Sequence, residues 1–181
     1  MTQAPGSRQD DLYREAATAF GDGLERLAHA YEADPDIRRD LIQDIHLALW
    51  RSFAGYDGRC SQRTWVYRVA HNTAASHVTR WVRLRRLQFT TLEEADGLPD
   101  GPADGPDAAL EKTLARERLL RLIRRLDALD RQVIVSYLED MDAAAIAEIT
   151  GLSAGAVAMK VHRIKRILAR WFHTEGTDDD Q

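Results

Sequence analysis

The sequence predicts an all-α protein with two small helical domains, a flexible acidic linker between them and a helix-turn-helix in the C-terminal domain. Apolar residues recur at helical spacing on both sides of "DGLPDGPADGP" (96–106). That segment has three prolines and three glycines, so it suits neither a helix nor a central strand. Period-two alternation is confined to "VIVSYL" (133–138). We interpret this run as part of a buried helix capped by Asp130, because no turn-bounded partner strand follows it.

These features divide the chain into four parts. We expect an N-terminal helical domain at 8–88, an acidic linker at 89–112, a C-terminal helical domain at 113–174 and an acidic tail at 175–181. The linker carries too few apolar groups to build a core, so it is expected to act as a tether. Each domain lies near the lower size limit for a self-sufficient hydrophobic core.

The segment "DLIQDIHLALWRSF" (40–53) predicts one amphipathic helix in the N-terminal domain. Its buried stripe contains Leu41, Ile42, Ile45, Ala48 and Leu49. The opposite side mixes acids with an apolar residue, which favours a docking surface for another protein over a purely solvated face. The members of that side are Asp40, Gln43, Asp44, Leu47 and Arg51. Trp50 lies at its margin and could equally pack against a neighbouring helix.

A glycine-containing loop and an aromatic, arginine-rich helix follow. The loop "AGYDGRCSQ" (54–62) can close over a small group, and Ser61 can cap the next helix. In that helix Trp65 lies nearly opposite Tyr67, and one core cannot bury both faces. Some of this apolar surface must therefore meet another domain, a partner protein or bases taken out of a duplex. Aromatic rings beside arginines are the usual platform for unpaired bases.

The C-terminal segment "DAAAIAEITGLSAGAVAMKVHRIKRILARWF" predicts a helix-turn-helix. Asp142 can cap a first helix that ends at Gly151, and Ser153 can cap a second helix that reaches about Phe172. The outer face of the second helix is basic, which suits the major groove of DNA. That face contains Met159, His162, Arg163 and Arg166, with Lys160 on its flank. An ordinary helical hairpin with a solvated basic face is the alternative.

The charge is segregated along the chain. The formal net charge of -4 argues, taken alone, against a nucleic-acid partner. However, 58–92 contains seven arginines and no carboxylate, and 149–174 contains five Lys or Arg and no carboxylate. Two basic blocks separated by an acidic spacer are compatible with nucleic-acid binding.

Several classes of protein are disfavoured. The single cysteine, Cys60, excludes an intramolecular disulfide and fits a reducing compartment. The sequence has no apolar leader and no run of membrane-span length, so we expect a cytoplasmic protein without direct membrane insertion. It lacks HExxH, paired CxxC, GxSxG and phosphate-loop motifs, so we expect no enzyme, no catalytic residues, no metal and no cofactor.

The segment "DLIQDIHLALWRSFAGYDGRCSQRTWVYRVAHNTAASHVTR" (40–80) resembles conserved region two of the extracytoplasmic-function (ECF) sigma factors of bacterial RNA polymerase. Residues 118–172, and "AIAEITGLSAGAVAMKVHRIK" (145–165) in particular, resemble region four of the same proteins. The resemblance covers both domains in the family's order, and this linked pair is more specific than either half. It implies an alternative sigma factor that binds core polymerase, directs it to a promoter and helps to melt the minus-ten element.

The resemblance implies three groups of site residues. The clamp coiled coil of core polymerase would contact Asp40, Gln43, Asp44, Leu47 and Arg51. The minus-ten group, in which the loop holds a flipped base and the next helix separates the strands, would be Tyr56, Asp57, Gly58, Arg59, Ser61, Arg63, Trp65, Arg68, Asn72 and Ser76. The minus-thirty-five element would be read by Ser153, Ala158, Met159, Lys160, His162, Arg163 and Arg166.

The implied partners are core RNA polymerase, promoter DNA in double-stranded and melted form, and an anti-sigma factor, often a membrane-linked one. The chain departs from the family's usual pattern at His77, Ala145, Ala156 and Met159, so a relative's promoter sequence cannot be carried over. Two alternatives remain. A helix-turn-helix regulator that acts without polymerase would explain the C-terminal domain but not the loop and aromatic helix, and an adaptor would use both basic blocks to bind acidic proteins.

Overall fold

The computed structural model describes the backbone of residues 5–88 and 108–178 and the side chains of residues 8–84 and 112–174. Within these ranges the chain forms seven α-helices, one 3-10 turn at Phe53–Gly55 and no strand, so the predicted all-α class is confirmed. The helices are α1 (Pro5–Tyr31), α2 (Pro35–Ser52), α3 (Gln62–Gln88), α4 (Ala108–Arg124), α5 (Ala128–Leu138), α6 (Ala143–Thr150) and α7 (Ala154–Asp178).

Two predicted segments fall partly outside the described residues. Of the predicted linker, 89–107 lies outside them, and α4 begins at Ala108 within the range assigned to the linker. Of the predicted acidic tail, the backbone is described as far as Asp178, where α7 ends, and the last three residues lie outside. The second helix of the predicted helix-turn-helix therefore continues past Phe172.

The N-terminal domain is a three-helix unit of α1, α2 and α3. Asp34 caps α2 by accepting the backbone N–H groups of Asp36 (2.9 Å) and Ile37 (3.1 Å), and Pro35 occupies the first turn. These two residues start the helix before residue 40, the first residue of the segment read as helical in the sequence. Of the predicted stripe, Leu41, Ile45 and Leu49 are buried, whereas Ile42 and Ala48 are only partly buried. The buried residues of α1 and α3 in the same core are Leu24, Leu27, Val66, Ala70 and Ala74.

The C-terminal domain packs α4, α5 and α6 around α7. The run at 133–138 is helical, as predicted, but the prediction that Asp130 caps this helix is wrong. Asp127 has the extended backbone of an N-cap and accepts the N–H of Asp130 at 2.8 Å, whereas the Asp130 side chain turns towards α7. The first helix of the helix-turn-helix begins and ends as predicted, because Asp142 accepts the N–H of Ala145 at 2.7 Å and Gly151 has φ 76°.

The two domains lie against each other. Helix α1 packs on α4 and α5, and α3 packs on α5 and α6. The buried residues at this junction include polar ones as well as apolar ones: His71 of α3, Ser136 of α5 and Glu139 just after α5. This arrangement decides which of the predicted site residues reach solvent.

Candidate nucleic-acid interface

The α2 surface consists of Asp40, Gln43, Asp44, Leu47 and Arg51, and it faces outward. Leu47 is 45% exposed although it is apolar. Asp44 accepts from the Arg80 guanidinium at 2.7 Å and lies 3.5 Å from His77 Nδ1. A cleft of about 290 Å³ separates this part of α2 from α3, and its lining residues are Asp40, Gln43, Asp44, His77, Arg80, Trp81 and Leu84. The surface therefore offers an exposed apolar residue beside carboxylates and a shallow cleft.

Trp50 is anchored to α1 at the margin of the α2 surface. Its indole Nε1 donates to Asp10 Oδ1 at 2.8 Å, and its carbonyl accepts from Gln9 at 2.6 Å. The ring is nevertheless 40% exposed. Of the two roles left open by the sequence, packing against a neighbouring helix accounts for these contacts.

The conformation of the loop between α2 and α3 is fixed by local contacts. Gly58 has φ 78°, a conformation that residues with a side chain rarely adopt. The Arg59 backbone N–H and its guanidinium both donate to the Asp57 carboxylate, and these contacts lower the pKa of that carboxyl. The Tyr56 hydroxyl donates to the Cys60 carbonyl at 2.8 Å. The loop thus presents an exposed ion pair and backbone groups around a partly exposed tyrosine.

The two rings of the aromatic helix have separate environments. Trp65 is half-buried, its Nε1 donates to Ser52 Oγ at 3.0 Å, and its ring centre lies 5.3 Å from that of Tyr56. Tyr67 is buried at the junction with the C-terminal domain. The sequence left open whether this face meets another domain, a partner protein or unpaired bases. Tyr67 packs against the other domain. Ser61 caps α3, as predicted, by accepting the Thr64 N–H at 3.0 Å.

The polar site residues predicted on α3 divide into two that are exposed to solvent and two that contact the C-terminal domain. Asn72 and Ser76 are exposed. Arg63 and Arg68 are only partly exposed, because their guanidinium groups donate to backbone carbonyls of the C-terminal domain, at Glu139 and at Glu148 (3.1 Å). The Nε atoms of both arginines are buried without a hydrogen-bond partner among the described residues.

Glu139 is the polar centre of the domain junction. Its carboxylate accepts two hydrogen bonds from Arg26 of α1, both 2.7 Å, and one from the Tyr67 hydroxyl at 2.9 Å. These bonds raise the pKa of Arg26, and burial raises the pKa of Tyr67. Sequence reasoning missed this cluster, since Arg26 and Glu139 lie 113 residues apart and neither belongs to a motif.

A buried histidine lies beside this cluster. His71 Nδ1 is 2.9 Å from the Tyr31 hydroxyl, and its Nε2 is 2.9 Å from Ser136 Oγ of α5. Burial lowers the pKa of His71 to about 3, so the ring is neutral in this arrangement. Ser136, a hydroxyl residue within the otherwise apolar and aromatic run "VIVSYL" (133–138), was the available sequence signal for this contact.

The outer face of α7 is open to solvent. Ala158, Met159, His162 and Arg166 are exposed, and Met159 reaches 76%. Ser153 caps the helix by accepting the Ala156 N–H at 3.2 Å.

Two basic side chains of α7 are instead held by a buried carboxylate. Lys160 Nζ contacts Asp130 Oδ1 at 2.5 Å and Arg163 contacts Oδ2 at 2.6 Å. Arg163 keeps 58% of its side chain exposed, whereas Lys160 keeps 24%. Lys160 is therefore the less accessible of the two to DNA.

Within the ranges described, no group of three His, Cys, Asp or Glu side chains could hold a metal ion. No single helix described is long and apolar enough to cross a membrane, and α6 with α7 up to Thr174 meets those length and composition limits only as a pair bent by 99°.

The two domains match two protein families in sequence order. The family model for Sigma-70 region 2 matches residues 16–83, and the model for Sigma-70, region 4 matches residues 116–168. The first match spans α2, the loop and most of α3. The second spans the helix-turn-helix and the helices that support it.

Curated relatives extend the similarity over most of the chain. The RNA polymerase sigma factor YlaC of Bacillus subtilis is 30% identical, over 86% of this chain and 87% of its own length. The RNA polymerase sigma-E factor of Streptomyces avermitilis is 32% identical, over 83% of this chain and 79% of its own.

Solved structures share the fold. CnrH, in complex with the cytosolic domain of CnrY, superposes with a TM-score of 0.64 and 20% identity, over 94% of this chain and 93% of CnrH. The sigma factor RpoE, in complex with the anti-sigma factor NepR from Bartonella quintana, gives a TM-score of 0.65 and 16% identity, over 87% and 94% of the two chains. The predicted family is confirmed: this chain belongs to the ECF group of RNA polymerase sigma factors, regulatory proteins that direct transcription initiation.

Proposed function

We propose that the N-terminal domain (8–88) docks core RNA polymerase and holds the melted minus-ten element, while the C-terminal domain (113–174) reads the minus-thirty-five element. The observation that carries the proposal is the order of the two family matches, region 2 on the first helical domain and region 4 on the second. A regulator that acts without polymerase would need only the second of them.

Polymerase docks on the α2 surface. Support comes from Leu47, which is 45% exposed among Asp40, Gln43 and Asp44. A single apolar anchor ringed by polar groups is the usual composition of a binding hot spot. The adjacent cleft lets a partner side chain insert between α2 and α3.

Melted DNA lies along the loop and α3. The loop contributes Tyr56, Asp57, Gly58, Arg59 and Ser61 around one flipped base, since its backbone groups and the Tyr56 ring are partly exposed. Along α3 the strand meets Arg63, Trp65, Arg68, Asn72 and Ser76. Arginines neutralise phosphates, and aromatic–base stacking contributes about 1–3 kcal/mol per base, enough to offset much of the unstacking cost.

Duplex DNA lies against α7. Ser153 and Ala158 lie near the helix start, where base edges are within reach in this motif, while His162, Arg163 and Arg166 face phosphates. Met159 offers an apolar contact, which suits a thymine methyl group. Lys160 acts mainly through Asp130 in this arrangement, because its amine contacts that carboxylate.

We also propose an anti-sigma factor as a regulatory partner and the cytoplasm as the site of action. Both structural neighbours were solved as complexes, one with an anti-sigma factor and one with the cytosolic domain of CnrY. A protein that has to reach polymerase and the chromosome works in the cytoplasm. A membrane-linked anti-sigma factor would contact it there through a cytosolic segment.

Gel filtration with core RNA polymerase tests the docking surface. We expect Leu47→Asp to weaken binding by about 2 kcal/mol, close to thirtyfold, because a charge replaces the apolar anchor. Co-elution should therefore be lost when the proteins are loaded near the wild-type Kd. The matched control is Leu114→Asp on α4, which introduces the same change at 44% exposure in the other domain and should co-elute normally. If both variants co-elute with polymerase, the docking surface does not lie on α2. If the wild-type protein does not co-elute, the proposal is overturned.

A further inference from the structure

The minus-ten surface proposed above is partly occupied by the chain's own C-terminal domain. Arg63 and Arg68 donate to the carbonyls of Glu139 and Glu148, where a phosphate oxygen would otherwise be the acceptor. Asn72 and Ser76, further along α3, remain exposed. While α5 and α6 lie on α3, the Nη2 atoms of both arginines are already bonded, and a DNA strand would have to displace these contacts to use them.

We propose that Glu139 is an intramolecular latch, which holds the free protein closed so that α3 binds melted DNA only after the two domains separate. The inference rests on the proposed function for the DNA role of Arg63 and Arg68. The latch itself rests on contacts between the two domains.

The geometry of Glu139 suits a latch because Arg26 and Tyr67, which bond its carboxylate, both belong to the other domain. Arg26 forms a bidentate ion pair with the Glu139 carboxylate, and the Tyr67 hydroxyl donates a third hydrogen bond to it. The Glu139 side chain is 6% exposed. Loss of Arg26 or Tyr67 while the two domains stay packed would therefore leave its charge buried and poorly compensated. Opening the domains returns that charge to water. The closed state therefore depends on all three groups together.

The N-terminal domain leaves room for this carboxylate at one glycine. A Cβ atom on Gly23 of α1 would overlap the Tyr67 hydroxyl and would lie 2.8 Å from Glu139 Oε2. Only a residue without a side chain lets the carboxylate reach this depth between α1 and α3. The next residue after the latch, Asp140, has φ 54°, a left-handed backbone conformation that turns the chain directly after Glu139.

The same junction contains groups that favour opening. The Nε atoms of Arg63 and Arg68 are buried without partners among the described residues, and water or a phosphate could satisfy them in an open form. Arg26 is 51% exposed, so salt and solvent reach the rim of the ion pair. These features make the closure reversible, unlike the packing of an apolar core.

Electron-spin distance measurements on the full chain test the latch. Spin labels replace the exposed Arg39 and Arg170, one in each domain, in a Cys60→Ser background. We expect one short distance population in the free wild-type protein. Glu139→Ala and Arg26→Ala should each raise the ratio of open to closed molecules about tenfold, and the double variant should do little more, because one interaction is lost in each case.

The matched control is Arg14→Ala, which removes another α1 arginine whose ion pair with Asp11 lies away from the junction. It should leave the distances unchanged. Identical distance distributions in the wild type, Glu139→Ala and Arg26→Ala would overturn the latch.

A second measurement separates the latch from the DNA role of α3. The affinity for a fluorescent, random-sequence single-stranded DNA pool is measured by anisotropy for each variant. We expect the opened variants to bind the pool about tenfold more tightly, in proportion to their open fraction. Opening without tighter binding would support the latch and overturn the proposed DNA role of Arg63 and Arg68.

Discussion

Helices α3 and α7 have similar chemistry but different access to solvent. Each presents arginines on a face away from its own domain's core. On α3 the guanidinium groups of Arg63 and Arg68 are bonded to the other domain, whereas on α7 Arg166 is exposed and Arg163 keeps 58% of its side chain exposed. On the proposed assignment, duplex DNA has access to α7 in the closed protein, whereas a melted strand would have to displace the contacts of Arg63 and Arg68 on α3. A basic helix is thus available for binding only if tertiary packing leaves it open.

The largest expected effect concerns how α7 is held. Asp130→Asn removes the carboxylate between Lys160 and Arg163 and leaves two neighbouring cations near a buried amide. We expect a loss of roughly 3 kcal/mol in the free energy of unfolding of the C-terminal domain, at the low end for a broken buried pair because Arg163 is half exposed. Urea denaturation measures this change. The control is Asp127→Asn, which alters only a helix cap and should cost less than 1 kcal/mol.

The next effect concerns the covered face of α3 and pH. His71 has a pKa of about 3 in the closed form and an ordinary value of 6.5 once its ring reaches water. The open form therefore binds protons more readily below pH 6.5. The preference for the closed form is complete above pH 6.5 and falls by about 1.4 kcal/mol per pH unit towards pH 3. At pH 5 the loss is about 2 kcal/mol.

The distance measurement repeated between pH 7.5 and 5 checks this expectation. Burial also lowers the pKa of His29, which lies near α4, so its effect has the same sign. His71→Gln keeps a hydrogen-bonding group towards Ser136 but cannot titrate, so most of the pH dependence should disappear. A pH dependence equal to that of the wild type in this variant would show that His71 is not the group responsible.

The smallest effect concerns the open face of α7. Arg166→Ala removes one exposed charge, so stability should change by less than about 0.5 kcal/mol. Binding of the holoenzyme to duplex minus-thirty-five DNA should weaken modestly, and the slope of log affinity against log salt should fall by about one. Titration at several salt concentrations measures both. An unchanged slope would mean that Arg166 does not contact a phosphate.

Local features of this protein were predictable from neighbouring residues. Asp142, Gly151 and Ser153 cap and separate α6 and α7 as expected, and Leu41, Ile45 and Leu49 form the buried stripe of α2. Such features depend on side chains within one or two helical turns, which sequence spacing records directly. The Asp130 cap was predicted by the same logic and was wrong, because two cations of α7 compete for that carboxylate.

The sequence by itself determined the all-α class, the two helical regions, most helix caps and the family. Only the tertiary structure decided that Arg63 and Arg68 are covered, that Tyr67 meets the other domain and that Lys160 pairs with Asp130. The reason is physical: helical periodicity gives the direction of a side chain relative to its own helix. Its partners come from segments tens to over a hundred residues away, and only packing brings those together.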